Sequence, residues 1–104
     1  MKKHDYLVFY KKHPFNNTGK ISQEIFSDEY ILLMQVEAES LEDTYWQMQG
    51  ENWSPNGEAR DIITKLGLTH TSMMIGDIIY SINEDAFYMT KICGFEKIPL
   101  SLIW

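Results

Sequence analysis

The chain has 104 residues, is 44% hydrophobic and carries a formal net charge of −6. This length and composition fit one globular domain over residues 1–104 and exclude a second core. The start MKKHDYLVF lacks the apolar run of a signal peptide, and no stretch approaches the roughly 20 apolar residues that span a bilayer. We therefore expect no membrane partner, and the single Cys93 favours a reducing, cytoplasmic location.

The charges are unevenly distributed along the chain. Residues 1–20 sum to +4, whereas residues 21–104 sum to −10. Residues 21–59, the acidic segment, contain nine carboxylates and no lysine, arginine or histidine. A field of this sign repels nucleic acids and anionic membranes, and it attracts cations or a basic protein surface.

Two strands are predicted in the first third of the chain. Residues 5–11, DYLVFYK, alternate and are apolar on both faces, which indicates a strand buried on both sides. Residues 16–19, NNTG, have the chemistry of a turn and predict a loop. Residues 30–36 are strongly apolar and suit a central strand, while residues 21–27 fit neither a helix nor a strand clearly.

Two short amphipathic helices follow. Ser40 is a candidate N-cap, and Asp43 completes an S-x-x-D capping box. The first helix has a stripe that ends before Gly50 and consists of Leu41, Tyr45 and Met48. After the turn SPNG at residues 54–57, the second helix has a stripe that ends before Gly67 and consists of Ala59, Ile62, Ile63 and Leu66. We expect both stripes, including Ile62, to be buried against the sheet.

The last third of the chain predicts three strands. Alternation over residues 78–82 and 86–92, around a turn at residues 83–85, predicts a hairpin. Cys93 falls in the returning strand, where we expect a small buried thiol. Alternation over residues 98–104 predicts a final strand that Pro99 confines to a sheet edge. The order β-β-α-α-β-β-β predicts an α+β fold, a mostly antiparallel sheet with two short helices packed on one face.

Residues 46–77 carry two motifs. Residues 49–59 read Q-x-E-x-W-S-x-N-G-x-A, and residues 70–77 read H-T-S-M-x-x-G-D. Together with the aromatic hairpin that ends at Gly94-Phe95, they resemble small uncharacterised proteins of bacterial plasmids, phages and related mobile elements. The sequence departs from that pattern at Met74, where the pattern has a second serine. The resemblance covers about the C-terminal half and implies a mobile-element origin without a particular chemistry.

His70, Ser72 and Asp77 are the residue types of a nucleophilic triad. Their spacing is not that of a nucleophile elbow, and no glycine-rich oxyanion turn precedes Ser72. We therefore expect the Asp77 side chain to bond backbone amides at the start of the hairpin, and a hydrolase-like activity around His70 and Asp77 is the third hypothesis. Metal-ligand spacings and phosphate-binding glycine loops are absent from the sequence, so we predict no metal, no cofactor and no enzyme activity.

The leading hypothesis is a non-catalytic acidic binding protein of a mobile genetic element. Its carboxylates imitate phosphates and bind the basic surface of a host protein, such as a nucleic-acid-directed defence complex, as an inhibitor or adaptor. The predicted interface set consists of Glu37, Glu39, Glu42, Asp43, Glu51 and Trp53. A solvated helix face with charged loops explains the same charges without a partner.

The second hypothesis is a small RNA- or DNA-binding accessory domain. Aromatic side chains of the hairpin would stack on bases, and basic side chains would hold the phosphates. The positive cluster available for this task is N-terminal and consists of Lys2, Lys3, Lys11 and Lys12. The oligomeric state stays open at this point.

Overall fold

The five strands of the protein form one antiparallel sheet. In the computed structural model, which describes residues 3–13 and 21–103, they are β1 (His4–Lys11), β2 (Tyr30–Ala38), β3 (Ile78–Ser81), β4 (Ala86–Lys91) and β5 (Gly94–Ile98). The strand order is β2-β1-β3-β4-β5, and each neighbouring pair is antiparallel. The α+β class is thus confirmed. The loop predicted at residues 16–19 lies outside the described residues.

Short helices connect and flank these strands. They are α1 (Gln23–Glu29), α2 (Leu41–Gln47), α3 (Gly50–Trp53), α4 (Arg60–Lys65) and α5 (Leu100–Ile103). Ser40 is the N-cap of α2, as predicted, because its Oγ accepts a 3.0 Å hydrogen bond from the Asp43 N–H. Gly50 begins α3 instead of ending α2, which has Met48 at its C-cap. Within residues 3–13 and 21–103, no helix has the length and apolar character needed to cross a membrane.

One face of the sheet carries the larger core cluster, covered by α2, α3 and α4. Tyr6, Val8 and Tyr10 point to this face from β1 because alternate residues of a strand share a side. The helices contribute Met48 and Ile63, which are both buried. The two predicted helices therefore pack on one face of the sheet, as expected.

Ile62 is the exception within the second predicted stripe. Its side chain is 46% exposed, whereas the neighbouring Ile63 is 6% exposed and belongs to the core cluster. Successive helical residues differ by about 100° around the axis, so the line through Ala59 and Ile63 faces the sheet and Ile62 turns towards solvent. The expectation that Ile62 is buried was wrong.

The opposite face of the sheet is also covered. Its buried cluster consists of Tyr30, Ile78, Phe87 and Ile98. From α1, Ile25 and Phe26 pack against this cluster, and from α5, so does Leu100. Neither helix was predicted. The strand predicted for residues 98–104 was wrong, because β5 spans Gly94–Ile98 and the chain after it forms α5. Pro99 has no N–H for the ladder, so the chain leaves the sheet there and turns into α5.

The turn between β4 and β5 corrects one further prediction. Cys93 is exposed in this turn, not buried within a returning strand. β4 ends at Lys91, and the chain reverses over Ile92 and Cys93 to Gly94, whose φ of +123° suits a residue without a Cβ. The thiol therefore faces solvent, and Ile92 is 84% exposed beside it.

Candidate functional site

Asp77 is the centre of the segment of residues 70–77 that joins α4 to β3. It is fully buried. Its Oδ1 accepts a 2.8 Å hydrogen bond from the Lys11 N–H in β1, and its Oδ2 accepts a 2.8 Å hydrogen bond from the Met74 N–H. These bonds agree with the expectation that the Asp77 carboxylate holds backbone amides at the start of the hairpin.

The third group bonded to the Asp77 carboxylate is the His70 ring. Its Nε2 lies 2.9 Å from Oδ2 of Asp77, and its ring stacks on Tyr10 with a centroid separation of 4.6 Å. The His70 side chain is only 9% exposed, and its Nδ1 is buried with no hydrogen-bond partner in the described part of the chain. A triad histidine uses its second nitrogen to take the proton of a nucleophile. In His70 this second nitrogen is Nδ1, and no hydroxyl in the described part of the chain forms a hydrogen bond with it.

Ser72 has a different task. Its Oγ accepts a 2.7 Å hydrogen bond from the Gly50 N–H, at the start of α3. A Cβ added at Gly50 would lie 3.1 Å from that Oγ, which is closer than ordinary packing. Among the described hydrogen bonds none joins Ser72 to His70. His70 thus bonds Asp77, and Ser72 bonds Gly50. The three motif residues do not form the hydrogen-bonded chain of a nucleophilic triad.

Backbone carbonyls of the same segment accept hydrogen bonds from aromatic side chains. The Thr71 carbonyl accepts from the Tyr10 hydroxyl at 2.7 Å and from the Trp53 indole N–H at 3.0 Å. The Gly76 carbonyl accepts from the Tyr30 hydroxyl at 2.6 Å. Burial raises the pKa of both tyrosines, and the nearby Asp77 charge raises the pKa further because it repels a phenolate. Trp53 is half-buried and its donor is used internally, which does not favour its place in the predicted interface set.

The acidic residues converge at another part of the molecule. Glu39 and Glu42, at the start of α2, line a cavity of about 400 Å³ together with Glu84 from the β3–β4 turn. We call this the acidic cavity. Tyr6, which also lines it, has a raised pKa, first through burial and then through the negative charges of Glu84, Glu42 and Asp43. Several carboxylates are therefore close enough to disfavour the ionised form of Tyr6.

The remaining residues of the predicted interface set are placed differently. Glu37 is exposed on β2, and Glu51 is exposed on α3. Asp43 is only half-exposed, and its Oδ2 accepts from the Glu39 N–H at 2.9 Å and from the Gln47 Nε2 at 3.3 Å. Asp43 therefore stabilises the start of α2 rather than presenting a free carboxylate.

Sequence reasoning missed Glu84 because it lies outside the acidic segment. The pairing of β1 with β3 places Ser81 opposite Tyr6, and this brings the β3–β4 turn beside the start of α2. Only the long-range strand register could have indicated that approach. Trp46 is the more exposed tryptophan of α2 and α3, at 61% exposure, although the pattern favoured Trp53.

The aromatic hairpin has an acidic environment. The Tyr88 hydroxyl donates to Glu84 at 2.8 Å, and the Tyr80 hydroxyl donates to Asp85. Of the N-terminal lysines, Lys11 is buried and Lys2 lies outside the described residues. The two hairpin tyrosines therefore bond carboxylates, although the β4–β5 register also places Lys97 opposite Tyr88.

Within the described ranges no group of three or more histidine, cysteine, aspartate or glutamate residues is arranged to hold a metal ion. Comparison of the chain with protein-family models, curated proteins and solved structures gave no match. The resemblance to mobile-element proteins therefore rests on the residues quoted above and stays a prediction.

Proposed function

We propose that the protein is a non-catalytic acidic binding protein of a mobile genetic element. It acts in the cytoplasm as an inhibitor or adaptor on the basic surface of a host protein, such as a nucleic-acid-directed defence complex. The observation that carries this proposal is the acidic cavity, where Glu39, Glu42 and Glu84 converge from two separate parts of the chain. The ion pairs in the described part of the chain, His70–Asp77 and Lys91–Glu96, involve none of these three glutamates.

The lining of the acidic cavity includes three glutamates and His4 but no lysine or arginine. The carboxylates repel one another, and a basic partner relieves that repulsion. Each exposed pair formed with a partner lysine or arginine contributes only about 0–1 kcal/mol. The summed field over several carboxylates nevertheless accelerates association and selects partners of opposite sign. A binding protein needs no further chemistry at this surface.

Nucleic-acid binding has weaker support. The hairpin tyrosines donate their hydroxyls to Glu84 and Asp85, so phosphates approaching the rings would meet negative charge. A hydrolase around His70 has weaker support still, because Ser72 bonds the Gly50 N–H and the free nitrogen of His70 is buried. Nucleic-acid binding is an outcome of the experiment below.

The experiment captures partners from a bacterial host lysate on three immobilised proteins. They are the natural chain, a variant with Glu37, Glu39 and Glu42 changed to Lys, and a control with Glu24, Asp28 and Asp61 changed to Lys. Either triple change brings the formal net charge from −6 to zero, because each reversal adds two positive charges. All six side chains are exposed, so folding is expected to persist and is checked by thermal unfolding.

We expect a basic host protein to be retained by the natural chain and by the control, and to be lost from the variant in which Glu37, Glu39 and Glu42 are lysines. Mass spectrometry identifies the protein, and purified components confirm direct binding. Retention of the same partner by all three proteins, or recovery of nucleic acid that nuclease treatment removes, would contradict the proposal.

A further inference from the structure

A second cavity lies on the other side of Glu42. It has a volume of about 290 Å³ and is lined by Tyr45 of α2, Ile75 of the segment that precedes β3, and Ile92 and Phe95 around the β4–β5 turn. We call it the turn cavity. Glu42 lines both cavities, so they are neighbours across one residue of α2.

Two isoleucines of the turn cavity are unusually open to solvent. Ile75 is 53% exposed and Ile92 is 84% exposed. Ile92 occupies a turn, where polar residues and glycine are the usual occupants. A single exposed apolar residue needs no explanation, but two at the rim of one cavity, next to half-buried Tyr45 and Phe95, make a concave apolar surface.

The charge around this apolar surface is negative. Lys91, the cation at the turn cavity, lies 3.8 Å from Glu96, which offsets its charge. Glu42 borders the turn cavity, and Glu39 and Glu84 lie in the adjoining acidic cavity. An apolar pocket bordered by Glu42, next to a cavity with two further glutamates, matches an apolar side chain beside a cation.

We infer that the two cavities form one docking surface for a short segment of a partner protein. In that segment a large apolar side chain fills the turn cavity against Ile75 and Ile92, and a neighbouring arginine or lysine enters the acidic cavity beside Glu42. The inference rests on the proposed function and adds to it an apolar anchor. Charge alone gives fast association, and the anchor gives the slow dissociation that an inhibitor or adaptor needs.

The test uses a library of random peptides displayed on phage as the probe. The natural chain is the target, and the binding of enriched peptides is then measured with purified variants. We expect enriched sequences to place a leucine, isoleucine, phenylalanine or tryptophan close to an arginine or lysine. Amide NMR shifts on titration of the best peptide should cluster at Glu42, Ile75 and Ile92.

Two substitutions and two matched controls locate the surface. Glu42→Lys and Ile92→Ser should each weaken peptide binding at least about tenfold, as expected for residues at the centre of an interface. Asp28→Lys and Ile62→Ser change an exposed aspartate and an isoleucine that is 46% exposed elsewhere in the protein, and they should leave affinity unchanged. Thermal unfolding of each variant confirms that the fold is retained.

The outcomes separate this inference from the proposed function. If Glu42→Lys abolishes binding and Ile92→Ser does not, the apolar anchor is wrong while an acidic binding surface stands. If neither change matters, or if the enriched peptides are acidic, the docking surface is overturned, and the capture experiment then decides the proposed function. Absence of any enriched sequence contradicts the docking surface alone, because the capture experiment with charge-reversed proteins tests the acidic surface independently.

Discussion

The Nε2 of His70 lies 2.9 Å from the buried Asp77 carboxylate, and the His70 ring stacks on the ring of Tyr10. The same carboxylate accepts from the Lys11 N–H, which is 66 residues away in sequence. The H-T-S-M-x-x-G-D motif therefore fastens the segment before β3 to β1. In the sequence these residues resemble a catalytic triad, and in the fold they form a hydrogen-bond network between distant parts of the chain.

Replacing Asp77 should be strongly destabilising. Asp77→Ala leaves the Lys11 and Met74 N–H groups and the His70 ring without their acceptor, and such losses in buried sites cost about 3–5 kcal/mol in the free energy of unfolding. Asp77→Asn keeps one carbonyl oxygen and should cost less. Urea unfolding at neutral pH measures both. A midpoint for Asp77→Ala equal to that of the natural protein would show that this network carries no stability.

The adjacent isoleucines of α4 provide a matched pair. Ile63 is 6% exposed and belongs to the core, so Ile63→Ala should lower the free energy of unfolding by about 2–5 kcal/mol. Ile62 is 46% exposed, and Ile62→Ala should change it by less than about 1 kcal/mol. Thermal unfolding of the two variants compares the sites directly. Equal losses would contradict the orientation of α4.

Ile62 and Ile63 also show which structural features a sequence pattern can predict. Strands β1 to β4, the Ser40 cap and the stripe of α2 follow from local periodicity and were predicted, whereas β5 was not, because the last strand was predicted at residues 98–104. Which of two neighbouring isoleucines is buried depends on the rotation of a six-residue helix, and that rotation is fixed by tertiary packing. The helix α1 was missed because its apolar residues Ile25 and Phe26 are adjacent and give no periodic stripe, although Ser22 does cap it.

Some residues of the candidate site were also predictable from the sequence, and others were not. The sequence singled out His70 and Asp77, and expected the carboxylate to bind backbone amides, but it could not identify Lys11 as the donor across the sheet. Glu39 and Glu42 were predicted as interface residues, whereas Glu84 and Ile92 join them only through strand register and turn geometry. Contacts between distant parts of the chain leave no periodic signal in either part.

High pH should destabilise the fold through Tyr10 and Tyr30. Burial raises the pKa of both hydroxyls above the ordinary value of 10.0, so the folded protein keeps protons that the unfolded chain releases. Their contribution is complete below pH 10 and is lost as the pH rises above it. Each tyrosine should lower the free energy of unfolding by about 1.4 kcal/mol per pH unit in that range.

Tyr10→Phe provides the control for this pH dependence. It removes the hydrogen bond to the Thr71 carbonyl, which costs about 1 kcal/mol at neutral pH, but it also removes one titrating group. Urea unfolding between pH 8 and 11 should therefore show a shallower decline above pH 10 for the variant. An identical slope for both proteins would mean that Tyr10 does not contribute to the alkaline loss of stability.

The kinetics of binding test whether the acidic surface attracts its partner. With the host protein recovered by capture, Glu37, Glu39 and Glu42 changed together to Lys should slow association several-fold and flatten its dependence on ionic strength. Asp43 is left unchanged because its carboxylate bonds the Glu39 N–H, and its loss would weaken α2. Association rates at two ionic strengths give the comparison.

The control with Glu24, Asp28 and Asp61 changed to Lys decides what a slower rate means. It has the same formal net charge of zero, and like the first variant it reverses carboxylates in the first turn of a helix. Steering by the acidic cavity predicts slow association only for the first variant, because attraction between charges falls within about 10 Å at ordinary salt. Equal slowing of both variants would attribute the attraction to net charge, and an unchanged rate in both would leave the carboxylates as a solvated surface without a partner.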